Sequence, residues 1–549
     1  MEGRKEALIR IEGRQFDVCV IGGGASGAGC ALDAQLRGLN TVLLEAADFA
    51  SAASSASTKI IHGGVRYLQQ AVMGFDLQQL HVVKRALRER ILMLHNAPFL
   101  AHAIDFLVPC FGLSQAFYFR AGMKVYDWLA GNAGLARSHY VSRRDALQHI
   151  PRLKSAGLAG LVAYSDGQFD DARYALALVQ TFAECGGVAL NYARVAAFER
   201  NAQGKLAGAQ VEDRIDGLPF VVRARAFVNA TGPFADHLRE LATPGVRRRM
   251  RPSKGSHIIL PLEGFHQNQA LLIPKTEDGR VIFAVPWMGR LLVGTTDDEA
   301  SPEDEAVLSQ IEVEYLLRHL NRYLKDPFTK DQVLSGMAGL RPLVSSGDRR
   351  ATRKLARDHV VELDAQSGLV SILGGKWTTY RGMAEDTINA VQNFLGVPVT
   401  LCRTHEHRLS GQDSYDPNHW RTLVDAYHIP ENTARHLSRK FGTNASRVLG
   451  LTNENPGLGQ PLLEGSPHIR AEVVYGVRYE MACTLEDVLA RRLGLQLWSW
   501  RDAIRAAAVV ADLLAQELGW PAERRQRAVD EYVCKIDFFM KSAGVSAAA

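Results

Sequence analysis

The sequence predicts an α/β protein: a dinucleotide-binding unit with a second, mixed-sheet lobe inserted into it and an all-α domain after it. Three observations carry this. A short apolar run near the start breaks into a glycine-rich turn and a small-residue helix, the middle of the chain alternates strand-like runs with Gly and Pro, and strand signals fade beyond about residue 400. In order, FDVCVI at 16–21 is rich in β-formers, GGGASG interrupts it, a helical stretch runs from Ala25 to Arg37, and TVLLE ends at Glu45. Strand, turn, helix, strand is the opening of a parallel sheet. LVAYSDGQF, a helical stretch from Asp171 to Cys185, VALNYARVAAFER and ARAFVNATG extend the pattern, and LVSILGGK repeats it up to Lys376. Residues 75–150 read as mainly helical, whereas HIILPL, ALLIP, VIFAVPW and LLVGTT within 246–300 predict an antiparallel sheet. SRKFGTNASRVLG, TLEDVLARRLG and RDAIRAAAVVADLLAQELG have helical periodicity. The expected division is a main domain over 1–400, with nucleotide-binding pieces at about 10–74, 151–243 and 335–400 and a lobe at about 75–150 and 244–334, followed by a helical domain over 401–549.

Composition narrows the function classes. The chain has 549 residues, Lys+Arg 64 against Asp+Glu 59 for a formal +5, 47% hydrophobic and 22% charged residues, which excludes a disordered or fibrous chain. No zinc-finger, basic-zipper or RNP-like stretch accompanies the mild basic excess, so no nucleic-acid partner is expected. Every long apolar run is cut before the about 20 residues that a spanning helix needs. The opening MEGRKEALIRIEGRQ carries Glu2, Glu6 and Glu12 and fits neither a secretory signal nor a transit peptide, so a cytoplasmic location is expected. Seven scattered cysteines with no CxxC pair argue against a metal, an iron–sulfur cluster or a disulfide framework.

Gly22, Gly24 and Gly27 follow a strand directly and open a helix. The first allows the tight turn, the second lets a pyrophosphate approach the backbone, and the third allows close helix–strand packing. Helix N–H groups at Ala25 and Ser26 then point at phosphate. Glu45, closing the next strand, is placed to accept from ribose hydroxyls. The ATG at Ala230–Gly232 resembles a second motif of two-dinucleotide-binding-domain flavoproteins, which makes FAD the expected cofactor rather than a nicotinamide.

The segments ASSASTKIIHGGVRYL, RPSKGSHIILPL, VPWMGRLLVGTTDDE, AGLRPLV, ARDHVVEL, LGGKWTTYRGMAED and VRYEMACTLEDVLARR occur in this order. Together the chain resembles FAD-dependent glycerol-3-phosphate dehydrogenase of the bacterial aerobic type, over nearly its whole length. The resemblance implies a fold of the glycine- and D-amino-acid-oxidase kind, oxidation of sn-glycerol 3-phosphate to dihydroxyacetone phosphate, and electron transfer from FAD to membrane quinone. It also implies a site. Arg66, Arg341, Arg357 and Lys376 match basic residues of the family's motifs, suited to a phosphate dianion. Tyr67 can donate to an oxygen, and His257 lies within KGSHI. His257 is the candidate base, since an ordinary imidazole titrates near 6.5, and Arg341 is its rival for handling the proton or steadying the alkoxide. Gly375, Trp377 and Thr378 within LGGKWTTY are expected against the flavin, as are Gly232 and the loop bearing Ser57, Thr58, Lys59 and His62.

A quinone reductase without a spanning helix must rest on the bilayer, here on the cytoplasmic face of the inner membrane. Basic clusters at RRRMRPSK (247–254) and RRATRKLAR (349–357), with Phe117, Tyr118, Phe119 and Trp128 in AFYFRAGMKVYDWLAG, are candidate contacts. The alternatives are an oxidase that reduces oxygen to hydrogen peroxide, an amine or amino-acid oxidase on the same fold, and a flavin-binding regulator without activity. The helical tail is expected to support a homodimer, as relatives suggest, or to brace the flavin domain.

Overall fold

The computed structural model describes residues 3–64, 77–131, 134–303, 305–345 and 359–546. Its first sheet grows outward from Gln15–Ile21, which is buried continuously from Val18 to Ile21 as a strand covered on both faces must be. Thr41–Leu44 and then Val188–Leu190 add to one side in parallel; Pro219–Asn229 and Val370–Gly374 add to the other, also in parallel. His359–Leu363 closes that edge antiparallel, and the hairpin Ala193–Arg200/Leu206–Asp213 pairs back onto Pro219–Asn229. Among the described residues this makes an eight-stranded sheet.

The parallel strands end together at the turn after Ile21. A methyl group on Gly22, whose φ is 111°, would sit 2.5 Å from the carbonyl oxygen of Ala230, and one on Gly27 would sit 1.7 Å from the carbonyl oxygen of Gly22. Helix Ala25–Leu36 therefore starts in backbone contact with its own strand, and its N-terminus faces the sheet's carboxyl edge.

A second, mixed sheet of ten strands among the described residues stands beside the first. Ser253–Pro261, Gln269–Ile273, Ile282–Trp287 and Arg290–Gly294 pair antiparallel, as the alternation predicted, and Gln269–Ile273 runs parallel to Ala101–Cys110 on its other side. Phe106 and Val108 face helices Leu77–Asn96 and Leu113–Ala130, and Leu107 faces the opposite core. Two assignments change here. LVAYSDGQF does form a strand, Gly160–Phe169, but it pairs along its length with Ala101–Cys110 and belongs to this second sheet. Ser335–Arg341 likewise pairs with Ser253–Pro261. All ten residues of Gly160–Phe169 are buried, and a strand buried on both faces carries no pattern that says which sheet it joins.

Beyond residue 400 the described chain is helical, including His419–Tyr427, Glu431–Phe441, Ala445–Glu454, Arg470–Glu480, Trp500–Leu518 and Ala522–Ser542, with one π-helical segment at Asp487–Arg492. Val510, Leu514 and Trp500 share one core with Ile258, Leu260 and Leu291 of the second sheet.

Gly27→Ala forces a methyl group against the Gly22 carbonyl, an overpacking that costs about 1–3 kcal/mol. Thermal unfolding should show a clearly lowered Tm, and an unchanged Tm would contradict the backbone contact.

Candidate active site

A cavity of about 1140 Å³ lies where the two sheets meet. That exceeds the roughly 300–1,000 Å³ of ordinary small-molecule pockets and suits a dinucleotide with a substrate beside it. Gly22, Gly24, Ala25 and Ser26 form one end of it with Glu45. The Glu45 carboxylate accepts from the Gly23 amide at 2.6 Å and the Ala47 amide at 2.9 Å, so the acid fixes the turn it borders. Burial pushes its pKa up, against the pull of those amides. Gly232, opening the turn Gly232–Phe234, lines the same cavity. Gly27 does not; its role is the close packing described above. A cradle that a side chain would fill, at the N-terminus of a helix, fits the pyrophosphate of FAD.

The loop 51–59 forms a long wall. Ser54 accepts from the Ala25 amide at 2.9 Å through Oγ, and its carbonyl accepts from the Trp377 indole at 2.8 Å. Ser57 donates to Asp171 through its amide (3.0 Å) and hydroxyl (2.7 Å). Thr58 Oγ1 lies 2.9 Å from His257 Nε2. Ser57, Thr58 and His62 line the cavity. Lys59, expected beside the flavin, does not line the cavity: the ammonium is buried against Asp171 and also donates to the Ser55 carbonyl at 2.8 Å. On the far wall Gly375, Lys376, Trp377 and Thr378 border the cavity where strand Val370–Gly374 turns into helix.

His257 and Arg341 come from neighbouring strands of the second sheet and line the cavity together. The imidazole lies flat against Gly294, where a methyl group would be 2.0 Å from Cδ2. His257 Nδ1 is buried without a hydrogen-bond partner among the described residues. Burial, then the charges of Arg341 and Lys59, hold its pKa down to about 3, so the ring is neutral at physiological pH. The Arg341 guanidinium is held by Asp297 at 3.0 Å, Thr295 Oγ1 at 2.7 Å and the Thr296 carbonyl at 2.8 Å. Arg66, Tyr67 and Arg357 lie outside the described residues.

Four further residues position the site. The Gly63 amide donates to the Tyr126 hydroxyl at 2.9 Å, which donates to Asp166 at 3.0 Å, which also holds Arg90. All are buried, and a methyl group on Gly63 would be 2.6 Å from the Tyr126 hydroxyl. Burial drives the Asp166 pKa up to about 6, although Arg90 and Tyr126 pull it down. The sequence did hold a signal: Asp166 is an acid inside an apolar strand run, and a buried charge needs a partner.

Residues 17–381 match the profile of FAD dependent oxidoreductases, and residues 402–525 that of the C-terminal domain of alpha-glycerophosphate oxidase. The chain is 40% identical over 549 aligned residues to a probable mitochondrial glycerol-3-phosphate dehydrogenase of Caenorhabditis elegans, covering 98% of this chain and 75% of that one. It is 38% identical to the human mitochondrial glycerol-3-phosphate dehydrogenase, covering 96% and 74%. Among solved structures, the glycerol-3-phosphate dehydrogenase of Bacillus halodurans complexed with FAD superposes with a TM-score of 0.79 at 29% identity, covering 97% of both chains.

Tyr126→Phe leaves the Gly63 amide without its acceptor, at a cost of about 1–3 kcal/mol. Substrate KM should rise several-fold with flavin content unchanged, and an unaltered KM would remove Tyr126 from the site's support. The depressed His257 pKa has a signed consequence for stability. Between about pH 6.5 and pH 3 the unfolded imidazole binds a proton that the folded one refuses, so this contribution is lost as pH falls. His257→Gln should therefore flatten the fall of unfolding free energy over that window by up to about 1.4 kcal/mol per pH unit, read from denaturant titrations at several pH values.

Proposed function

The chain belongs to the FAD-dependent glycerol-3-phosphate dehydrogenases, and on that premise we propose that it oxidises sn-glycerol 3-phosphate to dihydroxyacetone phosphate and passes the electrons to quinone at a membrane surface. The observation that carries the reading is the convergence of Arg341, Lys376 and a neutral His257 on the cavity whose other end is the dinucleotide cradle. FAD, when bound, supplies the hydride acceptor. The protein's residues do the rest. His257, whose ring borders the cavity, is the base for the hydroxyl proton. The Arg341 fork, held rigid by Asp297 and Thr295, steadies the developing alkoxide. Lys376, with Arg66, Tyr67 and Arg357, holds the phosphate. Burial, and after it the charges of Arg341 and Lys59, keep the imidazole neutral and so able to take that proton. The helix that follows Gly375 would offer backbone N–H groups to negative charge on the cofactor. Residues 1–400 carry this chemistry, and 401–549 support it.

Helix Leu113–Ala130 supports a membrane-bound acceptor. Leu113, Phe117 and Trp128 are 79%, 76% and 76% exposed, while Tyr118, Phe119 and Val125 of the same helix line the cavity. Large exposed apolar side chains beside a redox cavity suit a lipid surface carrying quinone, on the cytoplasmic face of the membrane. Among the described residues no helix is long and apolar enough to cross one. The basic cluster at 247–254 suits this role less, because Arg249, Arg251 and Lys254 are paired with Glu362, Glu299 and Glu312. The cluster at 349–357 lies outside the described residues.

Anaerobic addition of sn-glycerol 3-phosphate should bleach the flavin, and a quinone analogue should restore its colour without hydrogen peroxide. Stoichiometric peroxide with oxygen, and no response to quinone, would replace this reading with an oxidase; a flavin that stays yellow would refute the substrate. Phe117→Ser/Trp128→Ser should weaken sedimentation with anionic vesicles by roughly tenfold or more, given about 1.5–3 kcal/mol for each large apolar side chain buried, while turnover with a water-soluble acceptor persists.

A further inference from the structure

VRYEMACTLEDVLARR, at 477–492, lies in the helical tail and touches neither substrate nor flavin in the reading above. Its side chains nevertheless reach the nucleotide site through buried charge. Asp48, three residues beyond Glu45, is fully buried and outside the cavity. One carboxylate oxygen holds Arg491 Nε and Arg492 Nη1; the other accepts from Asn191 at 3.2 Å. Arg491 also pairs with Asp487 at 2.7 Å, and Asp487 accepts from the Tyr192 hydroxyl at 2.7 Å and the Cys483 and Thr484 amides at 2.8 and 3.0 Å. Arg492 donates to the Glu480 carbonyl, and the Glu480 carboxylate takes Arg173 at 2.7 Å. Three carboxylates thus face three guanidinium groups. Both tail arginines come from the π-helical segment Asp487–Arg492, a geometry that recurs at functional positions.

Such a network is poor value as stability alone, since apolar side chains of similar volume serve a core as well or better. What charge does better is fix geometry. The segment it fixes is the one that borders the adenosine end of the cradle: Glu45, Ala46, Ala47, Ala50 and Ser51 line the cavity on either side of Asp48. The segment is also tied to the glycine turn, with the Ala50 amide donating to the Gly23 carbonyl at 3.0 Å and Glu45 accepting from the Gly23 amide. Burial alone would raise the Asp48 pKa, but Arg492 and Arg491 outweigh it and keep the group ionised.

We propose that Asp48, Arg491 and Arg492 are positioning residues through which the C-terminal helical domain sets the 45–51 segment for the adenosine half of FAD and so governs retention of the cofactor. The acid that closes the second strand of such a fold reaches the ribose, so a shift of this segment is felt at the adenosine and not at the isoalloxazine.

The test uses full-length protein stripped of flavin, titrated with FAD and separately with ADP, which carries the adenosine half alone and is indifferent to the identity of the substrate. Asp48→Asn keeps the shape and removes the charge. Losing hydrogen bonds between charged groups should weaken both FAD and ADP by about tenfold or more. The absorption envelope of the bound flavin and the substrate KM at saturating FAD should stay as in the wild type. Arg491→Lys keeps a cation but loses the fork, and should weaken ADP by about threefold while preserving the fold. A folded Asp48→Asn or Arg491→Lys protein with wild-type ADP affinity overturns the proposal, even if its Tm has fallen. If Asp48→Asn does not fold, the ADP affinity of Arg491→Lys decides.

Discussion

Asp171 is the carboxylate on which the site's longest wall depends. It opens helix Asp171–Glu184, is fully buried, and takes the amide and hydroxyl of Ser57 on one oxygen and the Lys59 ammonium on the other. From that anchor the loop spreads in both directions. Ser54 reaches the first helix turn and the Trp377 indole, and Thr58 reaches His257. Glycine turn, candidate base and flavin-side turn are thus referred to one buried acid. Neither partner of the pair is dispensable, because removing one leaves the other as an uncompensated charge in the interior. Lys59 also acts across a distance, as one of the charges that hold His257 neutral.

The electrostatics of the cavity follow from this arrangement. Burial first, and then the fixed charges of Arg341 and Lys59, leave the His257 ring neutral with its lone pair free. Arg341 is not a loose surface charge waiting to fold over a substrate. Its fork is already committed to Asp297, Thr295 and Thr296, and this fixes its orientation before anything binds.

What was legible in the sequence was local. The turn at Gly22–Gly27, the acid at Glu45 and the GGKW turn each lie within a few residues of the strand that presents them, and the structure puts them around one cavity. What was illegible was pairing across the chain. Lys59 reads as a cofactor-side cation until Asp171 is seen to hold it. Tyr126 reads as one more aromatic of an interfacial helix until Gly63 and Asp166 are found at its hydroxyl. A single sequence gives burial propensity and spacing but not the identity of a distant partner, and for that same reason Gly160–Phe169 could be recognised as a strand without its sheet being known.

The core shared by the second sheet and the tail carries one more consequence. Ile258, Leu260 and Leu291 pack into the same cluster as Trp500, Val510 and Leu514, and the core around the first sheet takes in Phe99, Phe169, Leu409 and Met481 from lobe and tail. The place where strand signals end in the sequence is therefore not a seam in the folded protein. Cutting there would lay bare a broad apolar face on each piece, so lobe and tail stabilise one another. Both cores cross the domain order of the chain, one joining its middle to its end and the other drawing lobe and tail residues around the first sheet.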